Sequence, residues 1–379
     1  MIISSNQDQL KEAILDCINA DRSILASLRD EIRPLKSATH KIQPRSTTSI
    51  SLVATDGGNN QLKFDPFLIQ LVRVVDSSNN EYCLEAVSPT TPIANITARQ
   101  FGADGTPCTN LGKMMRFLGV DDLSELSHMI RPKGDNTPPS PKWVAAYREL
   151  VEWATLFALL EKDFGTDTLI IYDGLLRSMV FARDLFSQLL EGMQQRITQQ
   201  YDSHRRHIYL VGVAKHSKVL TRYHLAMALE GILRTEYPAY VEVPRDIEER
   251  AYVRSEYARG NDWVREDGGK NRFVGGKMFL VKFGSRTGDP VWPVDIFLPQ
   301  VSAAQSIIGA MLADAIEGFP VPYYPRSLQK AHTNAALVDF DYDILQSYIY
   351  EGIRNNLGED GEILDIFKLR DVDPSLARY

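Results

Sequence analysis

Two apolar runs in this sequence end in the same dipeptide. Ser51-Leu52-Val53-Ala54-Thr55 precedes Asp56-Gly57, and Leu169-Ile170-Ile171-Tyr172 precedes Asp173-Gly174. Short runs rich in Val, Ile and Leu read as buried strands. A strand that stops at an aspartate and turns on glycine leaves a carboxylate at the carboxyl edge of a sheet. Open α/β sheets place their ligands at that edge. Two such carboxylates on neighbouring strands stand close together. At an effective dielectric of ~20, like charges about 4 Å apart repel by roughly 4 kcal/mol. The pair persists by sharing a proton or by holding a cation. We read it as a metal site.

A chain of 379 residues, 44% hydrophobic and 24% charged, can bury a sizeable core. No run approaches the ~20 apolar residues of a membrane helix. Met1 to Asp8 lacks the basic-then-apolar layout of a signal peptide. Cys17, Cys83 and Cys108 are scattered and form no C-x-x-C, which argues against a disulfide framework or a thiolate zinc site. A reduced cytoplasm is the expected compartment. Cys17 and Cys83 are expected to be buried as small hydrophobes. The net charge of -7 argues against a protein that coats nucleic acid without specificity. It leaves room for an enzyme with a narrow basic groove.

The pattern along the chain predicts an amphipathic helix from about Gln7 to Arg29, packing on the main domain or on another subunit, then a proline-marked connector to Arg45. Three strands follow, Ile50–Thr55, Phe67–Val75 and Tyr82–Val87. Gly57-Gly58-Asn59-Asn60 and Asp76-Ser77-Ser78-Asn79-Asn80 are the turns between them, an antiparallel meander. Phe101 to Lys142 reads as irregular, with a helical piece near Leu111–Leu118 and a proline-rich approach at Thr137–Pro141. A helix over Trp143–Asp163 has the stripe Ala146, Leu150, Trp153, Phe157 and Leu160. The strand ending at Asp173 comes next, then a helix over Ser178–Gln200, a strand over Ile208–Val213 and a helix near Thr221–Leu233. Val241 to Gly276 reads as a loop-bearing insertion rich in Arg and Gly. Strands at Met278–Phe283 and Val291–Phe297 and helices at Ala303–Glu317 and Leu328–Leu337 close the core.

The expected division is therefore an N-terminal helix and connector (1–45), a core (46–338) with an insertion near 241–277, and a helical C-terminal segment (339–379). Three antiparallel strands, a helix, a strand, a helix and a strand make an α/β fold. It is a mixed sheet flanked by helices, with the element order of an RNase H-like core. In such a sheet the first strand lies beside the fourth and parallel to it, setting Asp56 beside Asp173.

A third carboxylate is expected from the intervening helix. Glu149 has Ala145 and Ala146 one turn below and Trp153 one turn above, on the border of the buried face. Glu152 lies four residues after Arg148, an ordinary exposed ion-pair spacing. Glu149 is preferred, and both being solvated is the plain alternative. Lys215 ends the strand Val211-Gly212-Val213-Ala214, where an ammonium can meet a phosphate. Tyr323-Tyr324-Pro325-Arg326-Ser327-Leu328-Gln329-Lys330-Ala331-His332 opens a helix after proline and sets a histidine on it. Tyr323, Tyr324, Phe273 and Trp263 are candidates for stacking on bases of a single strand.

This order of elements resembles the NurA nucleases from about Ser51 to Leu337: strand-Asp-Gly, helix glutamate, strand-Asp-Gly, strand-end lysine and late Tyr-Pro-x-x-Leu-x-x-Ala-His. The most specific part is Tyr324-Pro325 with Leu328, Ala331 and His332. The chain departs from the family in Gly58, where a small hydroxyl residue is more usual. Its helix glutamate lies further from Asp173 than usual, and the Arg-rich segment Arg245–Lys277 has no counterpart.

The resemblance implies a metal-dependent deoxyribonuclease with an RNase H-like core. Asp56, Glu149, Asp173 and His332 would be its metal ligands, for Mn2+ or Mg2+, with one or two ions per site. Tyr324 would be an active-site residue near the phosphate. On our reading of the residues, Lys215 and Arg326 are expected to neutralise charge on the phosphate. The implied partners are DNA, a second copy in a homodimer, and the hexameric HerA translocase. Exonuclease or single-strand endonuclease action in DNA end processing or defence would follow. A neutral His332 would make activity rise with pH through the histidine range. Two alternatives come from other classes. One is a non-catalytic adaptor docking on a translocase. The other is an actin-like ATPase, for which Asp173-Gly174-Leu175-Leu176 is too poor in glycine to cradle phosphate, and no Walker motif is present.

Overall fold

Leu169, Ile170, Ile171 and Tyr172 put apolar side chains on both faces of the strand that ends at Asp173, and a strand buried on both faces belongs at the centre of a sheet. A computed structural model of the chain places it there. It describes residues 7–45, 50–64, 67–131, 142–253, 273–336 and 339–357, with the backbone alone for 50–64. The proline-rich stretch at 137–141, Trp263, the middle of the expected insertion (254–272) and residues 358–379 lie outside the described residues.

The helices are α1 (Gln7–Ala20), α2 (Arg22–Ile32), α3 (Ile93–Ala98), α4 (Asn110–Leu118), α5 (Leu123–Leu126), α6 (Lys142–Leu159), α7 (Leu185–His204), α8 (Lys218–Glu230), α9 (Arg245–Val253), α10 (Ala304–Ile316), α11 (Arg326–Ala335) and α12 (Asp339–Leu357). The strands are β1 (His40–Lys41), β2 (Ile50–Phe64), β3 (Phe67–Asp76), β4 (Glu81–Val87), β5 (Asp167–Asp173), β6 (Ile208–Val213), β7 (Ala239–Glu242), β8 (Gly276–Lys282) and β9 (Trp292–Phe297). Among the described residues they form one sheet in the order β1-β7-β8-β9-β6-β5-β2-β3-β4. Strands β2, β3 and β4 are the antiparallel meander, while β2 with β5 and β5 with β6 are parallel. This is the expected α/β arrangement, an RNase H-like mixed sheet, extended beyond β6 by an antiparallel set.

Register sorts the core into two faces. Ile170, Tyr172 and Leu210 face a cluster built by Tyr147, Leu150, Trp153 and Phe157 of α6. Leu169, Ile171, Val211, Val213 and Val294 face α10 and α11 through Ile307, Ile308, Met311, Leu328 and Ala331. On the α6 side, α2, α8 and α9 cover Val241, Met278 and Leu280 further along the sheet.

Several expectations are corrected. The first helix breaks at Asp21 into α1 and α2; α2 packs on α8, while α1 buries none of its residues. Cys17 is accordingly exposed; Cys83 is half-buried, and burial pushes its thiol up to about 12. The connector supplies a short edge strand, because His40 and Lys41 pair with Tyr240 and Ala239. The start of the expected insertion is β7 and α9. Residues 178–184 form a loop, and α7 begins only at Leu185. Gly57-Gly58-Asn59-Asn60 is not a turn, since β2 runs on to Phe64, paired with β3 throughout. Cross-strand pairing outweighs the local turn preference of Gly and Asn there.

One glycine in the sheet makes room for the loop after Asp173. A Cβ at Gly212 would collide with the carbonyl oxygen of Gly174 and lie 2.9 Å from Leu176 N. Gly212→Ala should lower folding stability by about 1–3 kcal/mol, the usual effect of overpacking. A shift in urea midpoint at unchanged slope measures it, and an unshifted midpoint contradicts the packing described.

Candidate metal centre

The parallel pairing of β2 with β5 ends at Thr55 opposite Tyr172. Asp56 and Asp173 are each the next residue, so they occupy equivalent register positions. Neighbouring strands lie ~4.8 Å apart. Past this point β5 gives way to a turn on Gly174, whose φ of 153° suits glycine and whose Cβ would press on the Tyr172 ring at 2.8 Å. The Asp-Gly reading thus holds at Asp173. At Asp56 it is the parallel partner that stops, while Asp56 itself stays paired with Val75 of β3.

Asp173 is 13% exposed, with its two oxygens in different company. The Tyr324 hydroxyl donates to Oδ1 at 2.8 Å, and Lys215 Nζ stands 3.6 Å from Oδ2. The ammonium also lies 5.5 Å from the centre of the Tyr324 ring, which meets the Trp292 ring edge-on at 4.9 Å. Tyr324, Lys215 and Asp173 therefore come together at this end of β5.

The segment carrying Tyr324 is fixed by residues that sequence reasoning missed. Gln329 accepts from Val321 N at 2.8 Å and donates to the Val321 and Tyr324 carbonyls at 3.0 and 2.9 Å. Asp314 of α10 accepts from Ser327 N and from Ser327 Oγ at 2.6 Å, capping the first turn of α11. Burial raises the Asp314 pKa, against the pull of those hydrogen bonds. Gln329 sits inside the Tyr324–His332 motif, but nothing in its type or spacing signals burial.

Glu149 reaches the same end of β5 from the opposite face. Ser178 Oγ, in the loop after Asp173, donates to Glu149 Oε1 at 2.6 Å. Burial raises the Glu149 pKa; the Ser178 hydrogen bond, Arg148 and Trp153 oppose it. Glu152 is not the exposed ion-pair member its spacing suggested. It is 6% exposed, accepts from the buried Tyr172 hydroxyl at 2.8 Å and has Arg148 Nε at 3.3 Å. Tyr172 points into the α6 face, so its phenol reaches this level of the helix. Burial and the two carboxylates hold its pKa well above the ordinary value.

His332 lies exposed on α11, with Leu328, Ala331 and Ala335 on the buried side of that helix. The helix runs past the end of the strand pair, because Asn334 Nδ2 donates to Asp76 O at 3.1 Å and Asp76 is paired with Thr55. Arg326 pairs instead with Glu317 at 2.6 Å, both side chains about half exposed. Of the stacking candidates, Phe273 and Tyr324 are buried and Tyr323 is partly so. Among the described residues, no group of three His, Cys, Asp or Glu side chains is gathered as a metal cluster. The available donors are nevertheless of the kind hard divalent cations take. Asp173 has one oxygen engaged by a neutral hydroxyl and the other 3.6 Å from an ammonium. Glu149 carries a burial penalty that a nearby cation would offset.

No protein-family model matches the sequence, and no curated protein matches it. Among solved structures, the chain is similar to the NurA nuclease from Sulfolobus solfataricus (12% identity, TM-score 0.43), covering 94% of this chain and 99% of that one. It is also similar to NurA with manganese (10%, TM-score 0.41, 93% and 98% covered) and to NurA bound to dAMP and manganese (10%, TM-score 0.35, 89% and 94% covered). At such identities and scores it is the chain's own residues that must carry the chemistry.

Raised by burial, the Glu149 pKa makes the folded chain bind more proton than the unfolded chain between the ordinary carboxylate range and its folded value. Stability contributed by this group is present at low pH and is lost as pH rises through that window. Glu149→Gln removes the penalty. At pH 7 without metal, the variant should show a urea midpoint equal to or above wild type. Mn2+ should raise the wild-type midpoint more than the variant's. A lower midpoint for the metal-free variant contradicts the assignment.

Proposed function

We propose that this chain is a divalent-metal-dependent DNA nuclease. The carrying observation is the shared register of Asp56 and Asp173, one step beyond the last parallel pair and on adjacent strands. In the proposal these two carboxylates hold the cation, Mn2+ with Mg2+ as the alternative, and Glu149 and His332 complete its ligands, for one ion or two. When bound, such a cation lowers the pKa of a water and stabilises charge on a phosphoryl group.

The remaining steps belong to the chain's own groups. Tyr324 holds one oxygen of Asp173 by hydrogen bond, which fixes the carboxylate plane and leaves Oδ2 for the cation. Lys215, whose side chain is 43% exposed, is close enough to Asp173 to meet a non-bridging phosphate oxygen as negative charge grows on it. Arg326 serves the same purpose only if it leaves Glu317. The exposed apolar residues of α1, Leu10, Ile14 and Ile18, support the homodimer of this reading. The HerA-type translocase partner, a cytoplasmic setting and a role in end processing or defence rest on the sequence resemblance. No helix among the described residues is long and apolar enough to cross a membrane.

Linear duplex and circular single-stranded DNA, incubated with the purified chain and Mn2+, Mg2+ or chelator, provide the test. Asp56→Asn and Asp173→Asn should each lower metal-dependent cleavage by about 100-fold or more, since the amide keeps the shape but gives up the charge that binds the ion. Tyr324→Phe should lower it by roughly 10–100-fold, the usual range for a group that orients a metal ligand. Near-normal cleavage by either asparagine variant overturns the proposal.

A further inference from the structure

The strongest buried charge cluster of the described chain is at the base of the loop after Asp173, and the reading above leaves it unused. Arg177 is 7% exposed at its side chain, Asp295 0% and Glu248 1%. The guanidinium makes a two-pronged pair with Asp295, Nε to Oδ2 at 2.7 Å and Nη2 to Oδ1 at 2.8 Å, while Nη1 donates to Glu248 Oε1. Arg245 adds a second cation on Glu248 at 2.6 Å, and the Tyr252 ring lies 5.5 Å from the Arg177 guanidinium carbon. Asp295 belongs to β9 and Glu248 to α9, so one side chain ties the loop to two separate elements.

Desolvating three charges is expensive, and apolar residues of equal volume often stabilise a fold as well. What such a cluster adds is geometry, because a bidentate guanidinium–carboxylate pair fixes both position and angle. The residue after Arg177 is Ser178, whose hydroxyl holds Glu149. The residues on either side of Arg177 are anchored by backbone bonds as well. Gly275 N donates to Leu176 O at 2.7 Å, and Ser178 N donates to Phe273 O at 3.0 Å. The row Tyr172, Gly212, Asp295 crosses β5, β6 and β9 in register. Gly212 in that row leaves room for the loop, and a Cβ at Gly276, on the next strand, would lie 2.6 Å from Asp295 Cβ, so that glycine leaves room for the anchoring aspartate.

We propose that Arg177 is a positioning residue of the metal site, acting through Ser178 on Glu149, with Asp295 and Glu248 as its anchors. This rests on the nuclease reading only in taking Glu149 as a metal ligand. Arg177→Lys keeps the charge but cannot make the fork, and it should weaken Mn2+ binding by roughly 10–100-fold. Ser178→Ala should weaken it comparably. Because the arginine acts through the serine, Arg177→Lys/Ser178→Ala should be no weaker than the worse single variant, a departure from additivity.

The measurements are Mn2+ titration of the full chain by calorimetry and by loss of the free-ion electron paramagnetic signal, with amide exchange over 174–182 as a metal-independent check. Exchange there should quicken in Arg177→Lys while that of α6 stays as in wild type. Should Arg177→Lys fail to fold, Asp295→Asn, which retains the shape, takes its place in the same cycle. Unchanged Mn2+ affinity in a folded variant, or effects that multiply in the double variant, overturn the inference. Wild type that takes up no Mn2+ overturns the metal reading beneath it instead.

Discussion

The parallel pairing between β2 and β5 is the constraint from which the rest of the candidate site follows. Two strands far apart in sequence run side by side for six residue pairs and part company at Thr55 and Tyr172. Hydrogen bonding in a parallel ladder sets register rigidly, since a slip of one residue would turn every buried side chain of β5 to the wrong face. The alternation of Leu169 and Ile171 with Ile170 and Tyr172, all buried, holds that register from both sides. Two aspartates are thereby brought to equivalent backbone positions by packing that does not involve them.

Side chains from opposite faces of a sheet can approach one another only where a strand ends. Asp173 meets Tyr324 and Lys215 on the α11 side, and Glu149 comes from α6 on the other. The loop from Gly174 to Ala182 wraps the end of β5 and links the two, by the turn on Gly174 next to Asp173 and the hydroxyl of Ser178 next to Glu149. Gly212 leaves the space it crosses, and the Arg177 cluster sets its depth.

The order of strands and most helices was legible in the sequence because hydrophobic period and turn residues agree there. The α6 stripe, the β6 strand and the α11 helix all lie where spacing puts them. Asp173, Lys215 and Tyr324 were legible for the same reason, each at the end of a clear element. The misreadings have a shared cause, namely that a neighbour decided the matter. Gly57 to Asn60 stay extended because β3 pairs with them. Glu152 is buried because Tyr172 reaches up to it. Ser178 lies in a loop rather than a helix, its N–H bonded to Phe273 O and its neighbour Arg177 paired with Asp295. The partners lie far from them in the chain, as Asp295 is from Arg177, and no local pattern announces them. Glu149 was assigned on its place at the border of the buried face, and Ser178, the residue that holds it, fell inside an expected helix.

The extension of β2 past Asp56 shapes this edge of the sheet. From Asp56 to Phe64 the strand has no parallel partner, yet it remains paired with β3 out to Phe67. At ~3.4 Å per residue the ribbon projects on the order of 30 Å beyond the level at which β5 stops. β4 flanks β3 from Gln70 to Val75, opposite Asp56 to Gln61 of β2, and Ile69 and Leu71 of β3 pack against Leu345, Ile349 and Ile353 of α12. The backbone position of Asp56 therefore lies where the sheet ends on the β5 side and continues on the β3 side. The hairpin that takes the place of the expected glycine turn is what carries the sheet past that level.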